Sequence, residues 1–230
     1  MNTLQLKDKD RIILLSDVHY GIKSGGDNTI NYLSWMDTTD AYFREFLIPL
    51  IEDIKHENNP ILIVCGDFFD NRISIRLDVM HRAYKVISEL ASHIDIIFIP
   101  GNHDCYHSED SEINSLRLFD GIQHVRIVDT NTRVITCDGK LKIDLFPWTS
   151  NKKKLSEDIK DSDADVVLIH ADVNGLTYAS NVKISNGVDV ESFKGRKVYS
   201  GHIHKRQETN KVTYIGCPYE QDRSDQRKYT

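Results

Sequence analysis

Eight side chains able to bind a cation or carry a proton stand directly after short apolar runs, far apart along the sequence. Asp17 and His19 follow Arg11-Ile12-Ile13-Leu14-Leu15. Asp67 follows Ile61-Leu62-Ile63-Val64-Cys65 by way of Gly66. Asn102 and His103 follow the run Ile94 to Ile99 and a Pro100-Gly101 stop. His170 closes Val166-Val167-Leu168-Ile169. His202 and His204 follow Lys197-Val198-Tyr199-Ser200 and Gly201. Carboxylate oxygen, amide oxygen and imidazole nitrogen together suit Mn²⁺, Fe²⁺ or Zn²⁺. The set contains no cysteine, which argues against a structural zinc site.

Taken singly, each piece has an ordinary reading. Asp-x-His after a strand is usually a loop cap or a surface pair, Gly-Asp is usually a turn, and a lone His170 would be a satisfied core histidine. Gly101-Asn102-His103-Asp104 says more, because two side chains that coordinate or donate follow a Pro-Gly stop. Gly201-His202-Ile203-His204 places two imidazoles on one side of an extended segment. The ordered set is what points to a metal site, since ligands of α/β sheets gather outside the carboxyl ends of strands. The other histidines (His56, His81, His93, His107, His124) fall in helix or loop patterns and receive no role.

The elements that must position these residues are short β-branched runs bounded by Gly and Pro, read as buried strands. Between the first three lie helical patterns. Residues 38–57 place Phe43, Phe46, Leu47, Leu50, Ile51 and Ile54 on one face, with Thr39 or Asp40 as cap and a kink or break at Pro49. Residues 77–93 place Met80, Tyr84, Ile87, Leu90 and Ala91 on one face. Strand–helix–strand–helix–strand predicts an α/β domain with parallel strands. Residues 125–146 read as short strands with an Asp138-Gly139 turn, 152–160 as a short helix and 212–215 as a further strand.

The chain has 230 residues, 40% hydrophobic and 28% charged, which is globular composition and excludes a fibrous or wholly disordered chain. Lys and Arg number 29 against 35 Asp and Glu, a net charge of −6 that argues against gripping nucleic acid by bulk charge alone. No apolar run approaches the roughly 20 residues of a membrane-spanning helix, and residues 1–10 lack the features of a secretory signal. The reading is therefore a cytoplasmic protein with no membrane association. The four cysteines, at 65, 105, 137 and 217, form no Cys-x-x-Cys pair and are read as free thiols.

The five motifs, spread over residues 17–204, resemble those of the calcineurin-like metallophosphoesterase superfamily. Asp17-Val18-His19-Tyr20-Gly21, Gly66-Asp67-Phe68-Phe69-Asp70 and Gly101-Asn102-His103-Asp104 are similar to the SbcD-type nuclease subunits of DNA double-strand-break repair. His170-Ala171-Asp172-Val173-Asn174-Gly175 and Val212 to Tyr219 resemble the phage recombination-endonuclease version. Ser/Thr phosphatases of the superfamily carry Gly-Asn-His-Glu, and Asp104 departs from that branch.

The resemblance implies the metallophosphoesterase fold, two packed β-sheets flanked by helices, formed by a single nuclease-core domain over residues 1–230. It implies two divalent metal ions, Mn²⁺ first, with Fe²⁺, Zn²⁺ or Mg²⁺ as alternatives. Asp17, His19, Asp67 and His204 would hold one ion, and Asp67, Asn102, His170 and His202 the other. A bridging hydroxide would attack the phosphodiester. His103 would stabilise the transition state or protonate the leaving group, with Asp104 orienting its ring. Asp70 is either a residue behind the ligands or a helix cap, the cap being preferred. Arg72, Lys205 and Arg206, with Arg76, are candidate DNA-phosphate contacts, while Lys152-Lys153-Lys154 reads as a solvated face. The expected activity is a DNA exonuclease and endonuclease of repair or recombination. The rivals are a small-molecule nucleotide phosphodiesterase or phosphomonoesterase, and a non-catalytic scaffold. Expected partners are DNA, an SbcC-like coiled-coil ATPase and a second copy through the helices at 38–57 and 77–93. The capping and ATPase-docking segments of SbcD-type subunits have no matching residues here, so a core lacking them is expected.

Overall fold

The structure is a computed structural model that describes residues 1–6, 8–21, 29–136, 139–178, 180–209 and 211–219, with the backbone alone for 29–34. In chain order it runs β1 (Asn2–Leu6), β2 (Arg11–Leu15), α1 (Thr29–Ala41), a π-helical turn (Tyr42–Leu47), α2 (Ile48–Lys55), β3 (Pro60–Cys65), α3 (Leu77–Ala91) and β4 (Asp95–Ile99). It continues with β5 (Val125–Ile127), β6 (Thr132–Thr136), β7 (Lys142–Phe146), α4 (Lys152–Asp161), β8 (Val166–His170), β9 (Lys197–Gly201), β10 (Gln207–Glu208) and β11 (Val212–Tyr214).

Two sheets result. One has the order β2-β3-β4-β5 and is parallel throughout. The other has the order β1-β6-β7-β8-β9-β11-β10, with β7, β8 and β9 parallel. The alternation of side chains along each strand decides what the faces meet. Ile61, Ile63 and Cys65 of β3 and Ile97 and Ile99 of β4 face Ile143, Leu145 and Leu168 of the second sheet and form the core between the sheets. Leu62, Val64, Ile96 and Phe98 point the other way, into a core roofed by the helices through Phe43, Leu47, Ile51, Ala83 and Ile87. On the outer face of the second sheet, Val167 and Ile169 of β8 meet Leu155 and Ile159 of α4. The layers are therefore helix, sheet, sheet, helix. Among the described residues no helix is long and apolar enough to cross a membrane.

Four local readings change. β1 was not expected from its polar composition. It is an edge strand, so one face is enough, and Leu4 and Leu6 supply that face to the core between the sheets. The helix expected at 38–57 belongs to a helical segment that starts at Thr29, so Thr39 and Asp40 are not caps. Asp40 instead accepts the Tyr20 hydroxyl and pairs with Arg82 at 2.6 Å. Pro49 cannot donate to the carbonyl of residue 45, and its ring crowds that group. The chain answers with the π turn just before it, where the Ile48 N–H reaches the Phe43 carbonyl. The buried stripe is Phe43, Leu47 and Ile51, leaving Phe46 57% and Leu50 39% exposed. In α3 Ile87, Leu90 and Ala91 are buried as expected and Val79, Ala83 and Val86 join them, while Met80 is half-buried and Tyr84 stays outside. Asp138 lies outside the described residues, as does Cys137. Cys65 and Cys105 are buried free thiols, and Cys217 is buried.

The core between the sheets makes a stability test. Leu168→Ala should cost about 2–5 kcal/mol in urea unfolding with an unchanged slope. A cost under about 1 kcal/mol would mean that the sheets do not bear on each other at β8.

Candidate metal centre

The carboxyl ends of β2, β3, β4, β8 and β9 come to one rim; His170 is the last residue of β8, and the other polar residues stand in the turns beyond their strands. Asp17, His19, Asp67 and His202 all have positive φ (54°, 49°, 53° and 86°), a left-handed conformation that costs a residue bearing a side chain roughly 1–3 kcal/mol. The loops after β2 and β3 hold each other by continued parallel pairing. Asp17 N–H donates to Gly66 O (3.1 Å), His19 N–H to Asp67 O (3.0 Å) and Tyr20 N–H to Phe68 O (2.6 Å). Glycine is needed where these turns touch. A Cβ on Gly66 would lie 2.2 Å from His170 Nδ1, and one on Gly101 would lie 2.2 Å from Asp67 Oδ1.

The buried Asp67 carboxylate lies at the middle. Its Oδ1 accepts the His103 backbone N–H at 2.8 Å. Its Oδ2 stands 3.2 Å from His170 Nε2 and 3.7 Å from His19 Nε2. Asn102 Oδ1 lies 3.0 Å from His170 Nε2 and 2.8 Å from His202 Nδ1. On the other side His204 Nε2 faces His19 Nε2 at 3.1 Å. Asp17, His19 and His204 form one cluster of converging donor atoms, and Asp67, His170 and His202 form another. Asp17 also takes the His202 backbone N–H at 2.9 Å, tying the two sheets together.

Ring tautomers decide what this cluster can hold. His170 Nδ1 is 2.8 Å from the Cys65 carbonyl, which can only accept, so Nδ1 carries a proton and Nε2 turns a lone pair toward Asn102 and Asp67. Lone pairs converging from imidazole, amide and carboxylate repel one another unless a cation or a proton lies among them. The donor set therefore fits divalent metal ions. Electrostatics agree in sign. Burial pulls the His170 imidazole down, but Asp67 and Asp17 outweigh it and raise it to about 9. Burial likewise opposes His19, which Asp70, Asp67 and Asp17 nevertheless raise. Burial pushes the Asp67 carboxyl up, yet the His170, His19 and His103 rings hold it below the usual range. A field that keeps protons on these rings also favours a metal ion competing for the same nitrogens.

His103 is half-buried, its ring edge-on to His19. Its Nδ1 lies 2.6 Å from the Asp70 carbonyl, so that nitrogen carries a proton and Nε2 is the one left for chemistry. This corrects the role expected of Asp104. The Asp104 carboxylate accepts backbone N–H groups from Gly101 (2.9 Å), Phe69 (3.0 Å) and Phe68 (3.3 Å), so it staples the β3 and β4 loops together and does not orient the ring. Asp70 is not a helix cap either, since α3 starts at Leu77 behind Arg76. Its carboxylate lies 3.3 Å from His19 Nδ1.

The basic residues do not gather as tightly. Arg72 is exposed on the loop after β3, and Arg76 pairs with Asp78 at 3.0 Å. Lys205 reaches Asn181 at 3.4 Å and Arg206 pairs with Glu208 at 3.4 Å, both exposed after β9. Lys153 and Lys154 are exposed as expected, but Lys152 is not. Its ammonium sits 3.9 Å over the Trp148 ring. Trp148 follows β7 and lies against His202 (5.5 Å) and edge-on to His170 (6.2 Å). Sequence reading missed Trp148 and Asp172. Trp148 has no ligand atom to draw attention, although it too follows a strand. Asp172 had a signal, since residues i and i+2 of an extended chain share a side and it stands two beyond His170.

Two sheets that meet over this rim define a metal-dependent phosphoesterase, and comparison with known proteins agrees. The profile of the calcineurin-like phosphoesterase family matches residues 10–206, and the chain belongs to that family, whose members hydrolyse phosphoester bonds. Exonuclease subunit 1 of Enterobacteria phage T4 is 31% identical over 218 residues, 91% of this chain and 59% of that protein. The chain thus spans less than two thirds of that relative's length. The crystal structure of Pseudomonas putida nuclease MPE aligns with 88% of this chain and 66% of its own, at 14% identity and a TM-score of 0.37.

The close approach at Gly101 is testable. Gly101→Ala should push the Asp67 carboxylate aside and weaken divalent-ion binding by about tenfold or more in calorimetric titration, with the circular dichroism spectrum kept. Undiminished binding would show that Asp67 does not need its present place.

Proposed function

We propose that residues 1–230 form one nuclease-core domain that hydrolyses DNA phosphodiesters with two divalent metal ions, in recombination or repair. The carrying observation is the convergence of donor atoms from five strand ends in two sheets on Asp67. The relative that bears the name exonuclease subunit 1 supports the choice of DNA over smaller esters. Asp17, His19, Asp67 and His204 would hold one ion. Asp67, Asn102, His170 and His202 would hold the other, with Asp67 common to both sets. The mixed oxygen and nitrogen donors suit Mn²⁺, the ion proposed, as they also suit Fe²⁺ and Zn²⁺. When bound, such a pair supplies Lewis-acid charge to a phosphoryl group and makes water a stronger nucleophile at neutral pH.

The chain's own residues do the rest. His103 presents Nε2 to the rim while the Asp70 carbonyl holds Nδ1, so the ring can give a proton to a departing sugar oxygen without turning. Asp104 keeps the Asn102-His103 loop against the Asp67 loop, which sets the distance between ligand and proton donor. Arg72, Lys205 and Arg206 would meet flanking phosphates from the loops after β3 and β9. Phe46 and Leu50, exposed beside one another on the helical segment, support a homodimer along that face.

Mn²⁺-loaded protein should degrade single-stranded or hairpin DNA, and chelation should stop it. His103→Ala should lower turnover by about 10²-fold or more with two ions still bound. Hydrolysis of a chromogenic phosphodiester with no DNA turnover would reject the nuclease reading. Loss of the ions together with activity in His103→Ala would contradict the role given to that ring. Phe46→Glu should halve the mass measured in sedimentation, and a wild-type protein that sediments as a monomer would reject the dimer.

A further inference from the structure

We propose that Tyr106, backed by Ile113, is a base-stacking contact that takes one nucleobase of the DNA strand whose phosphate is cut. The inference rests on the nuclease reading above. It adds a substrate contact made by a ring face rather than by charge.

The pair comes from a short ladder just beyond His103. The Asp104 carbonyl accepts the Ser115 N–H at 2.8 Å, and the Ile113 carbonyl accepts the Tyr106 N–H at 2.9 Å. Cys105 and Asn114 stand opposite each other between these two bonds. Successive side chains of an extended strand point to opposite faces, and directly opposed residues of an antiparallel pair share a face. Cys105 and Asn114 therefore point inward together, 0% and 8% exposed, while Tyr106 and Ile113 point outward together, 55% and 57% exposed. Apolar surface held side by side in water gains free energy when a partner covers it.

The position of the pair says which partner. Three peptide units separate His103 from Tyr106, so their Cα atoms lie at most about 11 Å apart. A strand that brings a phosphate to His103 Nε2 carries its neighbouring bases past this pair. Every base has a flat π face, and an aromatic side chain stacks on it without reading sequence. Charge keeps the sugar–phosphate backbone from the same place. Glu109, Asp110 and Glu112, all exposed, stand on the loop that joins the two halves of the ladder. They repel phosphates and leave the uncharged base as the part of DNA that the pair accepts.

The platform is also held in place, so stacking does not have to order it first. It continues from Asp104, whose carboxylate is bonded to the Gly101 and Phe69 backbone. At the far end the Ser150 N–H donates to the Ser108 carbonyl at 2.8 Å and the Thr149 hydroxyl to the Glu109 carbonyl at 2.9 Å. The Ser111 hydroxyl donates to the Asp129 carbonyl at 2.6 Å. His107 stands edge-on to the Tyr106 ring at 4.9 Å.

The test compares substrates with and without a base. In Mn²⁺-loaded protein, Tyr106→Ala should lower kcat/KM on an all-thymidine oligonucleotide about 5–100-fold more than on a chromogenic phosphodiester too short to reach past His103. Tyr106→Phe and Tyr106→Trp should restore most of that loss, and Ile113→Ala should cost less. Oligonucleotides with one abasic residue at successive positions should reveal a position where the wild type loses the same factor and Tyr106→Ala loses nothing further. Both side chains are exposed, so the urea midpoint should stay. No loss on DNA, equal losses on the two substrates, or an abasic series with no such position would overturn the inference. A fall in sedimenting mass in Tyr106→Ala would give the face to a second copy and overturn it too. A wild type that hydrolyses the chromogenic ester and leaves every DNA uncut would instead reject the nuclease reading, and the inference with it.

Discussion

The structure depends on one buried carboxylate with both oxygens committed to different strand ends. Asp67 Oδ1 fixes the loop after β4 through the His103 N–H, and Oδ2 opposes imidazoles from β2 and β8. An aspartate can stand there only because glycines flank the approach. Gly66 and Gly101 let backbone and side chain come closer than any Cβ permits. The left-handed turns at Asp17, His19, Asp67 and His202 are the conformational cost of aiming side chains back over the strands they leave.

That cost is offset by the layers below. The core between the sheets locks β3 and β4 over β7 and β8, so the two halves of the rim cannot drift apart without exposing Ile63, Ile99, Leu145 and Leu168. Direct bonds repeat the tie at the rim. The Cys65 carbonyl accepts both the Ser16 hydroxyl and His170 Nδ1, and Asp17 takes the His202 N–H. Behind the first sheet, Tyr20 joins the β2 loop to Asp40 and Arg82 on α1 and α3. Site geometry and global stability therefore share the same contacts.

The histidines show a division of labour that residue types alone do not express. Two rings, His103 and His170, are oriented by backbone carbonyls, and a third, His202, faces a carboxylate. A carbonyl is invisible in sequence because every residue has one. Asp104, the carboxylate closest in sequence to His103, is spent on backbone N–H groups. Asp172, thirty residues before His202, lies against that ring, as Asp70 lies against His19. Chain proximity therefore pointed to the wrong carboxylate.

Several features were legible in the residues. The strand ends, the eight polar residues at them and the parallel direction of the first strands follow from apolar runs stopped by Gly, Pro and Asp, since these are local consequences of burial and turn geometry. The helical faces were only partly legible. Pro49 forces an irregular turn somewhere near it, but its π form and the resulting exposure of Phe46 and Leu50 depend on what the helix meets. Edge strand β1 was hidden because half of its residues face solvent. The places of Trp148 and Asp172 beside His202 were set by tertiary structure alone, because strands distant in the chain had to be laid side by side before an indole and a carboxylate could share one ring. Sequence determined which chemistry the strand ends carry. Only the packing of two sheets decided which atoms face one another, since distance between side chains is a property of the fold and not of spacing along the chain.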